Sequence, residues 1–469
     1  MSTDDTISES CEQFNASETL ADALEDSKAE INTEECVYSY PTLFTSRTLL
    51  ELSNSSWSRS VKAHDDIQPY LRGCKWSPDG TCCLTVVNND GVHVTELPRE
   101  LYSGSVTPDR MIDVLDSIIH VKEAGLIYDF CWYPGMNSSL PETCCWLTTR
   151  QNAPVQMWDA FNGSLRCSYR GFNAVDEMEP AISVTFSYDS NRIIAGYKKV
   201  LRTFDVERPG REFAEHKISS PASCFAMSDN LLAVGSWNTT INLYSITEMG
   251  TYKSIGKMHG HARGVTHLKF APDGLRLVSG ARKDHRLLVW DIRYYRRPLN
   301  ILTRVADTNQ RVYFDISPCG KYLVSGGTDG VVKVWDINHV DWKSSIDVTD
   351  ERNDNSTYKF PLHKDCCNSV SIHPCRPILA TGSGQYHFKD PIKNMDIKTE
   401  NDGNDEQSSD SNSGDRLLRE YDETINTGDK QVSFKNDSKL NSGIDMKYST
   451  ISENSLVFWW VGDINLTDN

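Results

Sequence analysis

Helical periodicity is scarce in this chain, which argues against a bundle or an α/β fold. No apolar run approaches the roughly 20 residues that cross a bilayer. The N-terminus is acidic and polar and lacks the basic-then-apolar pattern of a secretory signal. A soluble, intracellular protein with no membrane partner is therefore expected, and sequons such as Asn162-Gly163-Ser164 carry no glycosylation meaning. Fourteen cysteines are present, yet no two stand in a Cys-x-x-Cys pair. The doublets Cys82-Cys83, Cys144-Cys145 and Cys366-Cys367 fall in or beside predicted strands, where neighbouring side chains point to opposite faces and cannot jointly clasp one zinc ion. Reduced thiols filling small spaces are expected instead. The chain also lacks a Gly-x-Ser-x-Gly elbow, a Walker sequence and a His-Glu-x-x-His pair. Gly326-Gly327-x-x-Gly330 follows a strand but precedes no helix, so it reads as a turn and not a phosphate cradle. No enzyme, cofactor, metal or small-molecule substrate is expected.

Charge is unevenly placed. The formal net charge is −17, but residues 1–35 hold eleven acidic side chains against Lys28 alone, and residues 389–449 hold fourteen against nine basic ones. Neither segment has the apolar content to bury a core, so an acidic disordered tail and an acidic disordered insertion are expected. What remains is nearly neutral, and residues 257–311 carry twelve Lys and Arg against four Asp. The acidic balance of the whole chain therefore says little against an RNA partner.

What the sequence does contain is a repeat. Seven times a strand rich in β-branched and aromatic residues ends near a Ser-Pro-Asp-Gly type turn, and a second and third strand follow. First strands end at Trp76, Trp132, Phe186, Phe225, Phe270, Ile316 and Ile372. Third strands close at Trp158, Phe204, Tyr244, Trp290 and Trp335, with a degenerate signal around Thr95. The seventh unit is complete only if residues 389–449 are an insertion, with "SLVFWWV" from Ser455 as its third strand; loop closure grows only logarithmically with length, so the insertion is tolerable. The pattern predicts an all-β, seven-bladed WD-repeat β-propeller. Residues 36–66 supply the outer strand of the last blade and close the ring, residues 67–388 form the blades, and residues 450–469 hold the last strand and the C-terminus.

The unit from Gly260 to Asp291 is the most complete. Its His261, Ser279, Asp284 and Trp290 can bond in series across one blade, and this structural reading outweighs a catalytic His–Asp pair. In a propeller the loops leading into each blade and the turns between second and third strands share one face. The repeat puts Arg150, Lys198, Lys199, Trp237, Arg282, Lys283 and Tyr386 in the turns, and His261, Arg263, Gln310, Arg311 and Lys364 near the loops. That face is basic with interleaved aromatics, although Asp90, Asp284 and Asp329 dilute it. Cations attract phosphates and exposed rings can stack on unpaired bases, so Arg150, Lys198, Lys199, Trp237, Arg263, Arg282, Lys283, Arg311 and Tyr386 are the candidate RNA-binding residues. A protein-only adaptor, serving a ubiquitin ligase or chromatin, would use the same fold.

Several stretches go beyond the generic repeat: "LRGCKWSPDG" from Leu71, "YDFCWY" from Tyr128, "QMWDAFNG" from Gln156 and "RPGR" from Arg208. "HLKFAPDGLRLVSGARKD" from His267, "TNQRVYFDISP" from Thr308, "KDCCNSVSIHP" from Lys364 and the final "FWW" at Phe458–Trp460 continue the series. Over most of residues 68–388 and the last strand, the chain resembles the telomerase Cajal body proteins, the WD-repeat proteins of small Cajal-body ribonucleoproteins. The resemblance implies recognition of a short box in the terminal loops of small Cajal-body RNAs, and of telomerase RNA where one is present. It implies H/ACA ribonucleoprotein and Cajal-body proteins as partners, a nuclear, Cajal-body location with some protein in the cytoplasm, and support of telomere maintenance.

Overall fold

The structure is a computed structural model that describes residues 42–55, 69–103, 106–107, 110–123, 125–247, 250–338, 354–387 and 453–463. The acidic tail and the acidic insertion lie outside these residues. Two units divide the chain: Met1–Tyr386 with Ile451–Asn469, and His387–Thr450. The first carries seven sheets, antiparallel but for one added edge strand, the blades of a β-propeller.

Innermost strands are Leu71–Trp76, Ile127–Trp132, Ser183–Phe186, Ala222–Ser228, Val265–Phe270, Phe314–Ile316 and Cys367–Ile372. Six end where the repeat placed them; the fourth runs three residues past Phe225. Third strands are Gly91–Glu96, Val155–Asp159, Val200–Asp205, Thr240–Ile246, Arg286–Asp291, Val331–Asp336 and Ser455–Trp460. Core residues gather in seven apolar clusters, one in each seam between blades. The cysteine doublets follow from this layout. Cys82 packs toward the second blade and Cys83 toward the seventh, because adjacent strand residues face opposite sides. No disulfide forms among the twelve described cysteines, and burial pushes the Cys82, Cys131, Cys145, Cys224 and Cys366 thiols up to about 12.

The seventh blade joins distant parts of the chain. Its second strand, Ile378–Ser383, pairs in unbroken register with Ser455–Trp460, from Ile378 opposite Trp460 to Ser383 opposite Ser455. Its fourth strand is Leu50–Ser55, antiparallel to Ser455–Trp460. Leu43 and Phe44, just before it, are buried, and the Phe44 ring stacks on Tyr358 and Phe360 of the sixth blade. One feature departs from a four-stranded blade. Asp113–Leu115, in the long connection inside the first blade, adds parallel to Leu50–Ser55 as a fifth strand. The repeat gives no signal for it, because its three residues pair only with the neighbouring blade.

Candidate nucleic-acid interface

In each blade the antiparallel register brings the start of the first strand to the end at which the second turns into the third. In the fifth blade Val265 lies opposite Ala281, and Gly280 opposite Leu287. The turn Arg282–His285 therefore stands beside the loop that leads into the blade. His261 and Asp284 use this proximity. His261 Nδ1 lies 2.9 Å from Asp284 Oδ2, its Nε2 lies 2.7 Å from Ser279 Oγ, and Trp290 Nε1 donates to Ser279 Oγ over 2.8 Å. Burial lowers the proton affinity of His261, against the pull of Asp284. A neutral ring that donates from Nδ1 and accepts from Ser279 fits the whole chain of bonds. The pair is sealed from solvent, its side chains 1% and 4% exposed, so it holds the blade together. Asp284 is thus spent on His261 and Arg286 and does not dilute the positive face as expected.

A second such chain was not legible in the sequence. In the seventh blade His363 lies 2.7 Å from both Glu453 Oε1 and Thr381 Oγ1, and Trp459 Nε1 donates to Thr381 Oγ1 over 2.7 Å. Glu and Thr replace Asp and Ser, and the insertion separates His363 from Glu453. Both changes hide the motif.

The fifth-blade turn also reaches its neighbours. Arg282 N donates to Gly264 O over 3.0 Å, and Lys283 N donates to Thr308 O over 3.1 Å. Lys283 adopts a left-handed backbone (φ 45°), which turns its exposed side chain outward. The Arg282 guanidinium sits 5.5 Å from the centre of the half-buried Trp237 ring in the fourth-blade turn. A Cβ at Gly264 would stand 3.0 Å from Trp237 Cα and O, tighter than most Cβ contacts, so glycine eases this close approach. Trp237, Arg282, Lys283 and the loop from Thr308 are therefore joined across three blades, and the exposed Arg263 adjoins them next to Gly264. Lys198 and Lys199 are exposed in the third-blade turn and Tyr386 is 40% exposed in the seventh, apart from this group. Arg150 closes the second blade's second strand, with Nε 3.3 Å from Gln156 Oε1 and 3.7 Å from the buried Glu123 carboxylate.

Arg311 is placed differently. Its guanidinium points into the central channel, donating to Asp129 Oδ1 (2.8 Å) on the second blade, Tyr313 OH (3.1 Å), and Ser223 O (3.0 Å) on the fourth. Burial opposes its charge, but Tyr313 and Asp129 outweigh that and raise its proton affinity above the ordinary arginine value. The carboxylate partner is Asp129, across the ring, while Asp284 is held within its own blade by His261 and Arg286. Nearby His267 is held neutral by burial and by the cations Arg311, Lys75 and Lys269. Arg311 also lines a cavity of about 30 Å³, with Tyr70, Arg72, Tyr128, Gln310 and Asn368 among its other walls. Tyr70, Arg72 and Tyr128 were missed as cavity-lining residues because they precede or open innermost strands, which the repeat reads only as core.

Arg311→Met tests the assignment to the channel. Removing one member of a largely buried ion pair strands the other, at a cost of about 3–5 kcal/mol. Urea unfolding is expected to show a loss of that order; unchanged stability would free Arg311 for a surface role.

The WD domain, G-beta repeat, matches residues 252–291 and 305–336. The chain is 44% identical over 360 residues to the Telomerase Cajal body protein 1 homolog of Drosophila melanogaster, covering 75% of this chain and 63% of that protein. It is 38% identical over 386 residues to Telomerase Cajal body protein 1 of Mus musculus, covering 80% and 69%. The chain belongs to the telomerase Cajal body protein 1 family. The human family member is 39% identical over 354 residues, 73% of this chain and 61% of that protein. The chain thus spans about two thirds of the length of these relatives. The names of these relatives state no catalytic activity, and the repeat points to a scaffold-type protein.

Proposed function

We propose that this member of the family is an RNA-binding scaffold that recognises box-bearing small Cajal-body RNAs, and telomerase RNA where one is present. It directs their H/ACA ribonucleoproteins to Cajal bodies in the nucleus and so supports telomere maintenance. The observation that carries the reading is the joined surface of Trp237, Arg282 and Lys283, flanked by Arg263 and the loop from Thr308. A protein surface needs cations to hold phosphates and an aromatic face to receive an unstacked base, and these loops offer both within three neighbouring blades. Lys198, Lys199, Arg150 and Tyr386 extend positive charge and aromatic area around the same face.

Crosslinking followed by sequencing of the bound RNA is expected to recover small Cajal-body RNAs, with crosslinks at Trp237 and its neighbours. Trp237→Ala is expected to weaken binding to a loop RNA by roughly 1–3 kcal/mol, the usual contribution of a stacked base. Unchanged affinity, or crosslinks confined to the opposite face, would move the RNA elsewhere. Complete absence of salt-dependent RNA affinity would favour the protein-only adaptor.

A further inference from the structure

Neither cysteine spacing nor a His-Glu-x-x-His pattern points to a metal, but strand pairing in the first blade brings three potential ligands together. We infer that Asp90, His93 and His120 in the first blade form a binding site for one first-row divalent cation of the zinc class. Asp90 lies in the turn between Cys82–Val87 and Gly91–Glu96, His93 is on the latter strand, and His120 is on the blade's outer strand, Ile119–Val121. His93 and His120 are directly opposed in the antiparallel register. Opposed residues share a face of the sheet, and their rings stack with centroids 4.1 Å apart and planes 12° from parallel. Both rings present Nε2 to Asp90: His93 lies 2.8 Å from its Oδ2, and His120 lies 3.3 Å from its Oδ1 and 3.1 Å from its backbone oxygen, a contact that ion binding would replace. All three donor atoms fall within 4.8 Å of one another.

A tetrahedral ion with bonds of about 2.0–2.1 Å sets its ligands about 3.3–3.4 Å apart. The His120–Asp90 pair already has that spacing. The His93–Asp90 pair must open by about half an ångström, and the two rings must tilt their Nε2 edges toward a common point. His120 has the freedom to do so, since its side chain is 29% exposed while that of His93 is 7% exposed. Ser117 prepares the fixed ring. Its Oγ lies 2.9 Å from His93 Nδ1, and a hydroxyl either donates or accepts. When it accepts the Nδ1 proton, Nε2 carries a lone pair for the metal, the arrangement common to metal-bound histidines. Two imidazoles and one carboxylate suit zinc, copper or nickel; magnesium and calcium require oxygen donors throughout. Asp90, 43% exposed, leaves an open side for the ion to enter and for water as a fourth ligand.

The test uses the full chain without RNA, so it stands apart from the RNA reading. Cobalt(II) is titrated and followed by visible absorption, and zinc is then added in competition. The expected result is one equivalent of cobalt with a visible ligand-field band, no near-ultraviolet thiolate band, and displacement by zinc. His120→Asn and Asp90→Asn, both at partly exposed positions, are expected to fold and to weaken binding at least about 10-fold, as loss of a ligand does. Zinc is also expected to raise the melting temperature of the wild type but not of either variant. Absence of cobalt binding, a thiolate band, or equal binding by wild type and both variants would overturn the site.

Discussion

A chain that begins at residue 67 is expected to aggregate, whereas one that begins at residue 36 is expected to melt with the full-length protein. The shorter deletion removes only the acidic tail, whose composition offers no core. The longer one removes Leu50–Ser55, the strand that covers the outer edge of Ser455–Trp460. All six residues of Ser455–Trp460 are buried. Without a partner that strand presents a long, apolar row of unpaired backbone groups, a template for joining another chain. The loss extends further. Leu52 is fully buried, and Ser55 Oγ accepts a hydrogen bond from Leu456 N over 3.0 Å. Leu43 and Phe44 leave the seam between the sixth and seventh blades, and Asp113–Leu115 loses the strand it pairs with. Size-exclusion chromatography with thermal melts distinguishes the two truncations. Equal stability would mean that the ring does not depend on its N-terminal strand.

Much of this architecture could be read because β-propellers repeat locally. Each blade needs an apolar strand at the channel, a tight turn and an aromatic close, so Trp76, Phe270 and Trp290 marked their own positions. The joining of Ile378–Ser383 to Ser455–Trp460 was also readable once the low-complexity stretch was set aside, since "SLVFWWV" has no other blade to complete. The fifth strand was not readable, because a three-residue edge strand has no period of its own.

The site was readable in part for the same reason. A turn residue such as Lys283 or Trp237 is placed by counting from its strand, and the structure sets Lys283 against Thr308 and Trp237 against Arg282. Arg311 illustrates the limit. Its position in a loop leading into a blade suggested a surface cation, but rotamer and reach carry its guanidinium to Asp129, 182 residues away in sequence. Asp284 shows the converse, a turn carboxylate drawn inward by His261. His93 and His120 face each other only through strand pairing, and their 27-residue separation follows from the irregular connection inside the first blade. Side-chain direction across the channel and pairing across an irregular connection are tertiary properties, and no spacing rule reports them.

Reversing the two turn cations, Arg282→Glu with Lys283→Glu, is expected to have the largest effect on RNA binding. Lys283 is exposed, and Arg282 gives up its place over Trp237, worth about 0.5–1 kcal/mol. The fold is therefore expected to survive with a loss of about 1 kcal/mol. Each phosphate contact on a single strand releases about 0.7 of a counterion, which at 50 mM salt contributes about 0.9 of a logarithmic unit to affinity. Two lost contacts then weaken binding by roughly 60-fold, before any repulsion from the new carboxylates, and flatten the salt slope by about 1.4.

The most direct measurement is a salt titration of binding to a Cajal-body loop RNA, with the wild type and the folded charge reversal side by side. An RNA interface on this surface predicts steeply salt-dependent affinity in the wild type, with both affinity and slope reduced in the variant. Equal affinity and equal slope in a folded variant would contradict it.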